Sequence, residues 1–264
     1  MIHSGLRPRQ ASAEERQRQI LDLATDYGSV RILELQSSFG VSEVTLRHDL
    51  DVLAERGLLV RTHGGAVTSV GTPLDIEFSK RQRLQEVEKQ RIGRAAARLI
   101  GSGETVLFDG GSTTLQVARA TRNLDDVILI TVGLNIAGVL ASRNPHSTVM
   151  LLAGEINRRT LAVEGPRTAK SLAELNIDKL LASTFAIDIE KGLTDVTIAG
   201  AETKRALIEA SHRVIVVADS SKFGDVAFAT VAPISVVDVV VSDAGLSPQM
   251  KQDLEALGIE VILA

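Results

Sequence analysis

Two groups of side chains in this chain have the types and spacing to do chemistry. In Asp109-Gly110-Gly111-Ser112-Thr113-Thr114, two adjacent glycines let backbone N–H groups approach an anion, and three hydroxyls follow as donors. In the second group, Val44, Thr45, Arg47 and His48 follow a capping serine, Ser42, and precede Arg61-Thr62-His63-Gly64. Thr45 can hydrogen-bond a base edge or a phosphate, and Val44 can pack on a thymine methyl group. Arg47 and His48 offer donors to guanine or phosphate.

The first group is not a Walker A loop, because the terminal Gly-Lys-Ser/Thr is absent, and it is not GxGxxG. ATP and dinucleotides are therefore disfavoured, and a compact phosphate ester is the natural guest. A tight strand–helix turn with capping hydroxyls has the same composition, and it is the plain alternative. Further polar groups follow apolar runs: Asn135, Arg158-Arg159, Lys204 and Lys222. Each alone is a cap or a surface charge, but a shared position at strand ends would suit a phosphorylated polyol. There are no cysteines, so disulfides, thiolate metal sites and thiol nucleophiles are excluded together. No metal or cofactor is called for.

The elements that must position these groups fall into two textures. Ser12-Ala13-Glu14-Glu15 has capping-box spacing, and Ile20, Leu21, Leu23 and Ala24 supply an apolar stripe that Gly28 ends. A short helix spans Ile32 to Phe39. After Val41-Ser42, Leu46, Leu50 and Leu53 recur at helical spacing, which predicts a third helix with one buried face. At about 100° per residue, Val44 and His48 lie opposite that face. Leu58 to Arg61 reads as a strand that His63-Gly64-Gly65 turns back into Ala66-Val67. Three helices and a small hairpin make the outline of a winged helix-turn-helix. Val70 to Pro73 reads as a linker, and Phe78 to Ile100 as one charged helix with Ile92, Ala95, Ala96 and Leu99 buried.

From Gly103 short aliphatic strands alternate with helical patterns. The strands are read at Thr105–Phe108, Val127–Thr131, Thr148–Leu152, Lys179–Phe185, Val214–Ala218, Val237–Val241 and Glu260–Leu263. The helices are read at Thr113–Arg122, Asn135–Ser142, Pro166–Leu175, Ala201–Ser211 and Pro248–Leu257. The expectation is an α/β domain with a largely parallel, doubly wound sheet, whose ligands sit at the carboxyl ends of the strands. The domains are thus 12–70 (all-α with a wing), 71–100 (linker and connecting helix) and 101–264 (α/β effector domain).

Composition adds constraints. Of 264 residues 44% are hydrophobic but 3% aromatic, so the core is aliphatic and the composition disfavours base-stacking platforms. The net charge of −4 lends DNA binding no general support. Residues 1–70 contain eight arginines, no lysine and nine carboxylates, so affinity must come from a few placed arginines. Arg7, Pro8 and Arg9 lie in what reads as a loose N-terminal arm. Nothing reads as a signal peptide or a membrane-spanning run, and the expected location is cytoplasmic.

The chain resembles the DeoR family of bacterial sugar-metabolism regulators through Arg16 to Ile20, Val41-Ser42…Thr45-Leu46-Arg47-His48-Asp49-Leu50…Leu53, and Arg61-Thr62-His63-Gly64-Gly65-Ala66. The resemblance implies an effector domain like ribose-5-phosphate isomerase, with Gly110 to Thr114 at the phosphate and Asn135, Lys204 and Lys222 nearby. His48 departs from the family's usual second arginine. Ser183-Thr184-Phe185 and Gly200 depart where carboxylates are usual, which predicts a mouth poorer in acids.

The function expected is a DNA-binding regulator, a repressor of a sugar or polyol catabolic operon. A phosphorylated sugar at Asp109, Gly110, Gly111, Ser112, Thr113, Thr114, Asn135, Arg159, Lys204 and Lys222 would control it. Partners would be double-stranded operator DNA, read by Ser42, Val44, Thr45, Arg47, His48, Arg61, Thr62, His63 and Gly64, and further copies in a homodimer or homotetramer. The alternative is a sugar-phosphate isomerase-like enzyme with an appended DNA-binding module, for which Asp109, Asp188 and Glu202 are the available acids. A wing that binds protein is the third reading.

Overall fold

The computed structural model describes residues 12–27, 29–62, 64–68, 78–157 and 160–264. The chain divides into two units, Met1–Ile76 and Glu77–Ala264.

In the first unit, α1 (Ala13–Tyr27) starts where the Ser12 hydroxyl accepts the Glu15 N–H at 3.2 Å. After β1 (Ser29–Arg31), α2 (Ile32–Phe39) stops at Gly40, whose φ of 63° is the left-handed conformation that closes a helix. α3 (Glu43–Glu55) is capped by Ser42, whose hydroxyl accepts the Thr45 N–H at 3.2 Å. Leu46, Leu50 and Leu53 pack with Ile20, Ala24 and Leu35 into the core, as the spacing requires. β2 (Leu59–Thr62) and β3 (Gly65–Thr68) form the hairpin. The sheet has a third strand, which the sequence reading lacks: β1 pairs with β3, giving the order β1-β3-β2. Three residues between two helices are too few to show a strand period, but Val30 pairs with Ala66 and both are buried.

The second unit opens with a correction. The single helix expected over Phe78–Ile100 is two, α4 (Phe78–Arg83) and α5 (Glu86–Ala97), because Gln85 takes φ 51° and breaks the run. The break leaves helix-end carbonyls unsatisfied, and the Lys89 ammonium donates to those of Arg81 (2.8 Å) and Leu84 (2.6 Å). Ile92 and Ala96 are buried as expected.

The chain then runs through β4 (Thr105–Phe108), α6 (Ser112–Ala120), β5 (Ile128–Thr131), α7 (Leu134–Arg143) and β6 (Thr148–Leu151). A small hairpin of β7 (Glu155–Asn157) and β8 (Ala162–Glu164) precedes α8 (Pro166–Leu172) and β9 (Ile177–Ala182). β10 (Ala186–Asp188), β11 (Gly192–Asp195), α9 (Ile198–Glu209), β12 (Ser211–Val217) and β13 (Ala229–Ala232) follow. β14 (Val239–Ser242), α10 (Pro248–Ala256) and β15 (Glu260–Leu263) finish the unit. Seven parallel strands lie in the order β15-β14-β12-β9-β4-β5-β6. All seven expected strands are in this sheet. Its two faces carry separate aliphatic cores, Leu107, Leu180, Val216 and Val240 on one and Val106, Phe108, Leu181, Ile215 and Val241 on the other. This alternation is that of a doubly wound sheet.

The β7–β8 hairpin and the small antiparallel sheet β10-β11-β13 are additions to the expected pattern. Among the described residues, no helix is long and apolar enough to cross a membrane.

From β4 the chain winds outward to β5 and β6, and it returns on the other side to β9, β12, β14 and β15. The winding direction therefore reverses between β4 and β9. In open parallel sheets that reversal opens a crevice at the strands' carboxyl ends.

Candidate functional site

On the first unit the outer face of α3 carries no core contacts. Val44 is 77% exposed, and Ser42, Arg47 and His48 are exposed. Thr45 is half-buried, its hydroxyl 2.8 Å from that of Ser42. Arg47 is held by Glu43 at 2.6 Å, an exposed i, i+4 pair. Such a pair is worth only about 0.3–0.5 kcal/mol, so a phosphate can replace Glu43 with little loss. Arg61 is committed differently. It donates to Asp51 on α3 at 2.7 Å and to the Gly65 carbonyl at 2.6 Å, and so ties the hairpin to the helix. Thr62 is half-buried and Gly64 exposed, while His63 lies outside the described residues, as does the N-terminal arm.

Two features beneath this face escaped the sequence reading. Asp49, 1% exposed, accepts from Arg16 (2.6 and 3.2 Å) and from Gln17 (2.9 Å), so α1 grips α3 through a buried charge pair. Gly65 is glycine for lack of room: a Cβ there would lie 1.8 Å from the Val30 carbonyl oxygen.

On the second unit, Asp109 follows β4 and Ser183 follows β9, so the two flank the crevice. The Ser183 N–H and hydroxyl donate to Asp109 Oδ2 at 3.0 and 2.8 Å, and the Gly110 N–H donates to Oδ1 at 2.7 Å. Lys204, from α9, donates to the same Asp109 carboxylate and to the Ser183 carbonyl at 2.9 Å. Two sequence candidates thus meet as an ion pair. Burial works against the Lys204 charge, but Asp109, with Asp195 and Glu164, holds its pKa above the ordinary lysine value. Asp109, Ser183, Thr184 and Lys204 line one cavity together with Leu193, Leu207 and Val231.

The turn itself is tightly fitted. A Cβ on Gly110 would meet Ala162 at 2.5 Å, and one on Gly111 would meet the Ser183 hydroxyl at 2.6 Å. Packing alone therefore demands both glycines. Thr114 is fully buried and its hydroxyl donates to the Gly111 carbonyl at 3.0 Å, so it braces the turn rather than facing a guest. Thr113 is buried and Ser112 half-buried. No side chain caps α6, whose first N–H groups and partial positive charge stand at the turn.

Asn135 turns its Oδ1 to the Ile136 N–H at 3.1 Å and has a buried Nδ2 without a hydrogen-bond partner. Lys222 lies over the Phe185 ring, 5.1 Å from its centroid. Arg158 and Arg159 lie outside the described residues.

Ser183-Thr184-Phe185 and Gly200 bring no carboxylate to the mouth, but acids from other elements stand near it. Gly200 has no room for a side chain, since its Cβ would lie 2.8 Å from an Asp195 oxygen. Asp195 itself supplies a carboxylate near Lys204, and Glu164 supplies another. Burial raises the Glu164 pKa, against the hydrogen bond from Asn157 at 3.0 Å. Both acids end short strands, β11 and β8, and precede helices. The strand-end rule that selected Asp109 would have found them, had those three- and four-residue strands been legible.

Residues 16–70 match a DeoR-like helix-turn-helix domain and residues 84–244 match a DeoR C-terminal sensor domain. The chain is 33% identical over 257 residues to the putative aga operon transcriptional repressor of Escherichia coli O157:H7, which covers 97% of this chain and 95% of that protein. It is 35% identical over 233 residues to the glycerol-3-phosphate regulon repressor of Escherichia coli K12, which covers 87% of this chain and 90% of that one. Among solved structures it is similar to ribose 5-phosphate isomerase from Plasmodium falciparum, with 18% identity, a TM-score of 0.37, and 51% and 52% of the two chains covered.

Proposed function

This chain belongs to the DeoR family of DNA-binding transcriptional regulators, and we propose that it represses a sugar or polyol catabolic operon under the control of a phosphorylated sugar. The observation that carries the effector half is the position of the Asp109–Thr114 turn. It sits at the reversal between β4 and β9, where α6 starts without a side-chain cap, where Lys204 reaches in from α9 to Asp109, and where Lys222 follows the end of the neighbouring β12. A helix N-terminus with nearby cations favours a compact dianion. An enzyme is the weaker reading, because the oxygens of Asp109 are engaged by Ser183, Gly110 and Lys204.

The DNA half is supported by the outer face of α3, with Val44, Arg47 and His48 turned away from the core and Arg61 fixing the hairpin beside them. A homodimer or homotetramer in the cytoplasm would place two such faces on half-sites of one operator. An effector that prefers the low-affinity conformation would then shift the population off DNA by its differential affinity.

Gel-shift titration of the full chain against the DNA upstream of its own gene tests this, with and without a panel of phosphorylated sugars. Binding should weaken steeply with salt and with one phosphorylated sugar, but not with its unphosphorylated form. Salt-independent binding would sink the DNA reading, and indifference to every phosphate ester would sink the effector reading.

A further inference from the structure

The two ends of the seven-stranded sheet differ in chemistry. At one end the edge strand β15 begins with Glu260, which pairs with Arg213 at 3.1 Å, and α10 beside it carries Lys251, Asp253 and Glu255. Charges of this kind keep an open strand edge in water. At the other end β6, Thr148-Val149-Met150-Leu151, has no charge and no proline, and its register with β5 runs unbroken. Met150 and Leu151 are exposed there, as is Ile128 on the adjoining β5. The helix that packs on β6, α7, has no charged side chain from Leu134 to Ser142, and its exposed positions Gly138, Ala141 and Ser142 are small. An outward helix of a water-facing surface normally carries charges on that face.

We propose that β6 and α7 form an interface with a second copy of this chain, in which β6 pairs antiparallel with its own copy about a two-fold axis at Met150. The choice of a copy as partner rests on the two-fold assembly proposed above for DNA half-sites. The register rests on the backbone.

The Thr148 and Leu152 N–H groups donate inward, to the Val127 and Thr131 carbonyls at 3.2 and 2.9 Å. Backbone groups alternate along a strand, so those of Val149 and Leu151 point off the sheet. In an antiparallel pair bonded and non-bonded residue pairs alternate, so a two-fold axis must pass through a residue that faces its own copy. With Met150 on the axis, Val149 lies opposite Leu151 of the partner subunit, and the two exchange N–H···O=C bonds on both sides of the axis. An axis at Val149 or Leu151 would leave the other residue's outward groups facing no strand.

The side chains fit the same axis. Val149 packs on the face that α7 covers, and Leu151 alternates to that face too, so an apolar cross-strand pair forms beneath two neighbouring α7 helices. Their small residues let the helices approach. On the other face Met150 meets its copy, flanked by Ile128, which lies one pair along from Ile130 and Met150. An isologous contact closes at two copies, whereas an apolar edge that paired head to tail would build a fibre.

The chain has no cysteine, so single cysteines in the full-length protein report the register. In Met150→Cys the two Cα atoms would stand about 4.5 Å apart, within disulfide reach, and mild oxidation should link most of the protein into dimers. Thr148→Cys, whose copy would lie roughly 14 Å away along the strands, should stay unlinked. So should Leu257→Cys, exposed at the end of α10. A Cβ on Gly138 meets nothing within 4 Å in the single chain, so Gly138→Gln has room to fold. Between two α7 helices it would overpack, and it should raise the dimer dissociation constant about tenfold in sedimentation equilibrium. A wild type that sediments as a dimer or tetramer, while Met150→Cys links no faster than Leu257→Cys, overturns this interface and leaves the DNA reading standing. An unchanged dissociation constant in Gly138→Gln overturns it as well. A monomeric wild type overturns both the interface and the two-fold assembly proposed above.

Discussion

Lys204 and Asp109 form an ion pair across the reversal of the parallel sheet, one from α9 and one from the end of β4, with Ser183 bonded to both. Both side chains are largely shielded from water, at 15% and 5% exposure. Removing one member strands the other charge, which in buried pairs costs about 3–5 kcal/mol. Lys204→Met should therefore lower stability by that order in denaturant unfolding. Asp109→Asn combined with Lys204→Met should lose less than Lys204→Met alone, because no orphan carboxylate remains. Simple additivity of the two losses would show that the pair is not coupled.

The Arg16–Asp49 pair does for the first unit what Lys204–Asp109 does for the second, at 12% and 1% exposure. Asp49→Ala should destabilise the unit by about 3 kcal/mol, since it leaves the Arg16 guanidinium half-enclosed without its acceptor. The loss should persist at high salt, because screening barely reaches a buried pair. DNA affinity should fall with it, as α1 no longer fixes α3. A variant that unfolds at the wild-type denaturant midpoint would refute this account of how the recognition helix is held.

What the amino-acid pattern shows and what it hides follow one physical rule. Elements with an apolar period over several residues were legible: the Leu46–Leu50–Leu53 face of α3 and all seven strands of the parallel sheet. The elements that were not legible are those whose partners lie far away in the chain. β1 is a strand only because Val30 finds Ala66, and Gly65 is intolerant only because β1 closes on it. The role of Asp49 is set by Arg16 and Gln17, which α1 brings from more than thirty residues away. At the candidate site, Asp109 and Lys204 stood out by their place after an apolar strand and on a helix. Asp195 and Glu164 did not, because short strands carry no period to mark them.

The DNA-facing residues separate by what they are already doing. His48 is exposed on α3 and free of core duty, so His48→Ala should change which base is preferred at one half-site position, a discrimination of about 1–3 kcal/mol at most. Arg61 bridges Asp51 and the Gly65 carbonyl, so Arg61→Ala should weaken binding to all sequences through the hairpin. Arg61→Lys should not restore it, because an ammonium lacks the planar fork that spans two acceptors. Selection on randomised half-sites gives the readout. Equal changes in sequence preference from His48→Ala and Arg61→Ala would contradict this division of roles.

Lys89 supplies a prediction whose sign is opposite to that of an ordinary stabilising ion pair. Its folded pKa is depressed to about 8 from 10.5, chiefly by burial. Below pH 8 the group is charged both folded and unfolded, and the cost of burying the charge is fully present. Between about 8 and 10.5 the folded protein has released that proton while the unfolded chain still holds it. The unfolded state then binds more protons, so stability rises with pH over that window. Relative to Lys89→Met, which carries no such charge, the wild type should gain up to about 3 kcal/mol as pH is raised from 7 toward 10.5. Denaturant midpoints for the two proteins at half-unit steps of pH measure the difference directly. A constant gap across the range would show that Lys89 keeps its proton in the folded protein.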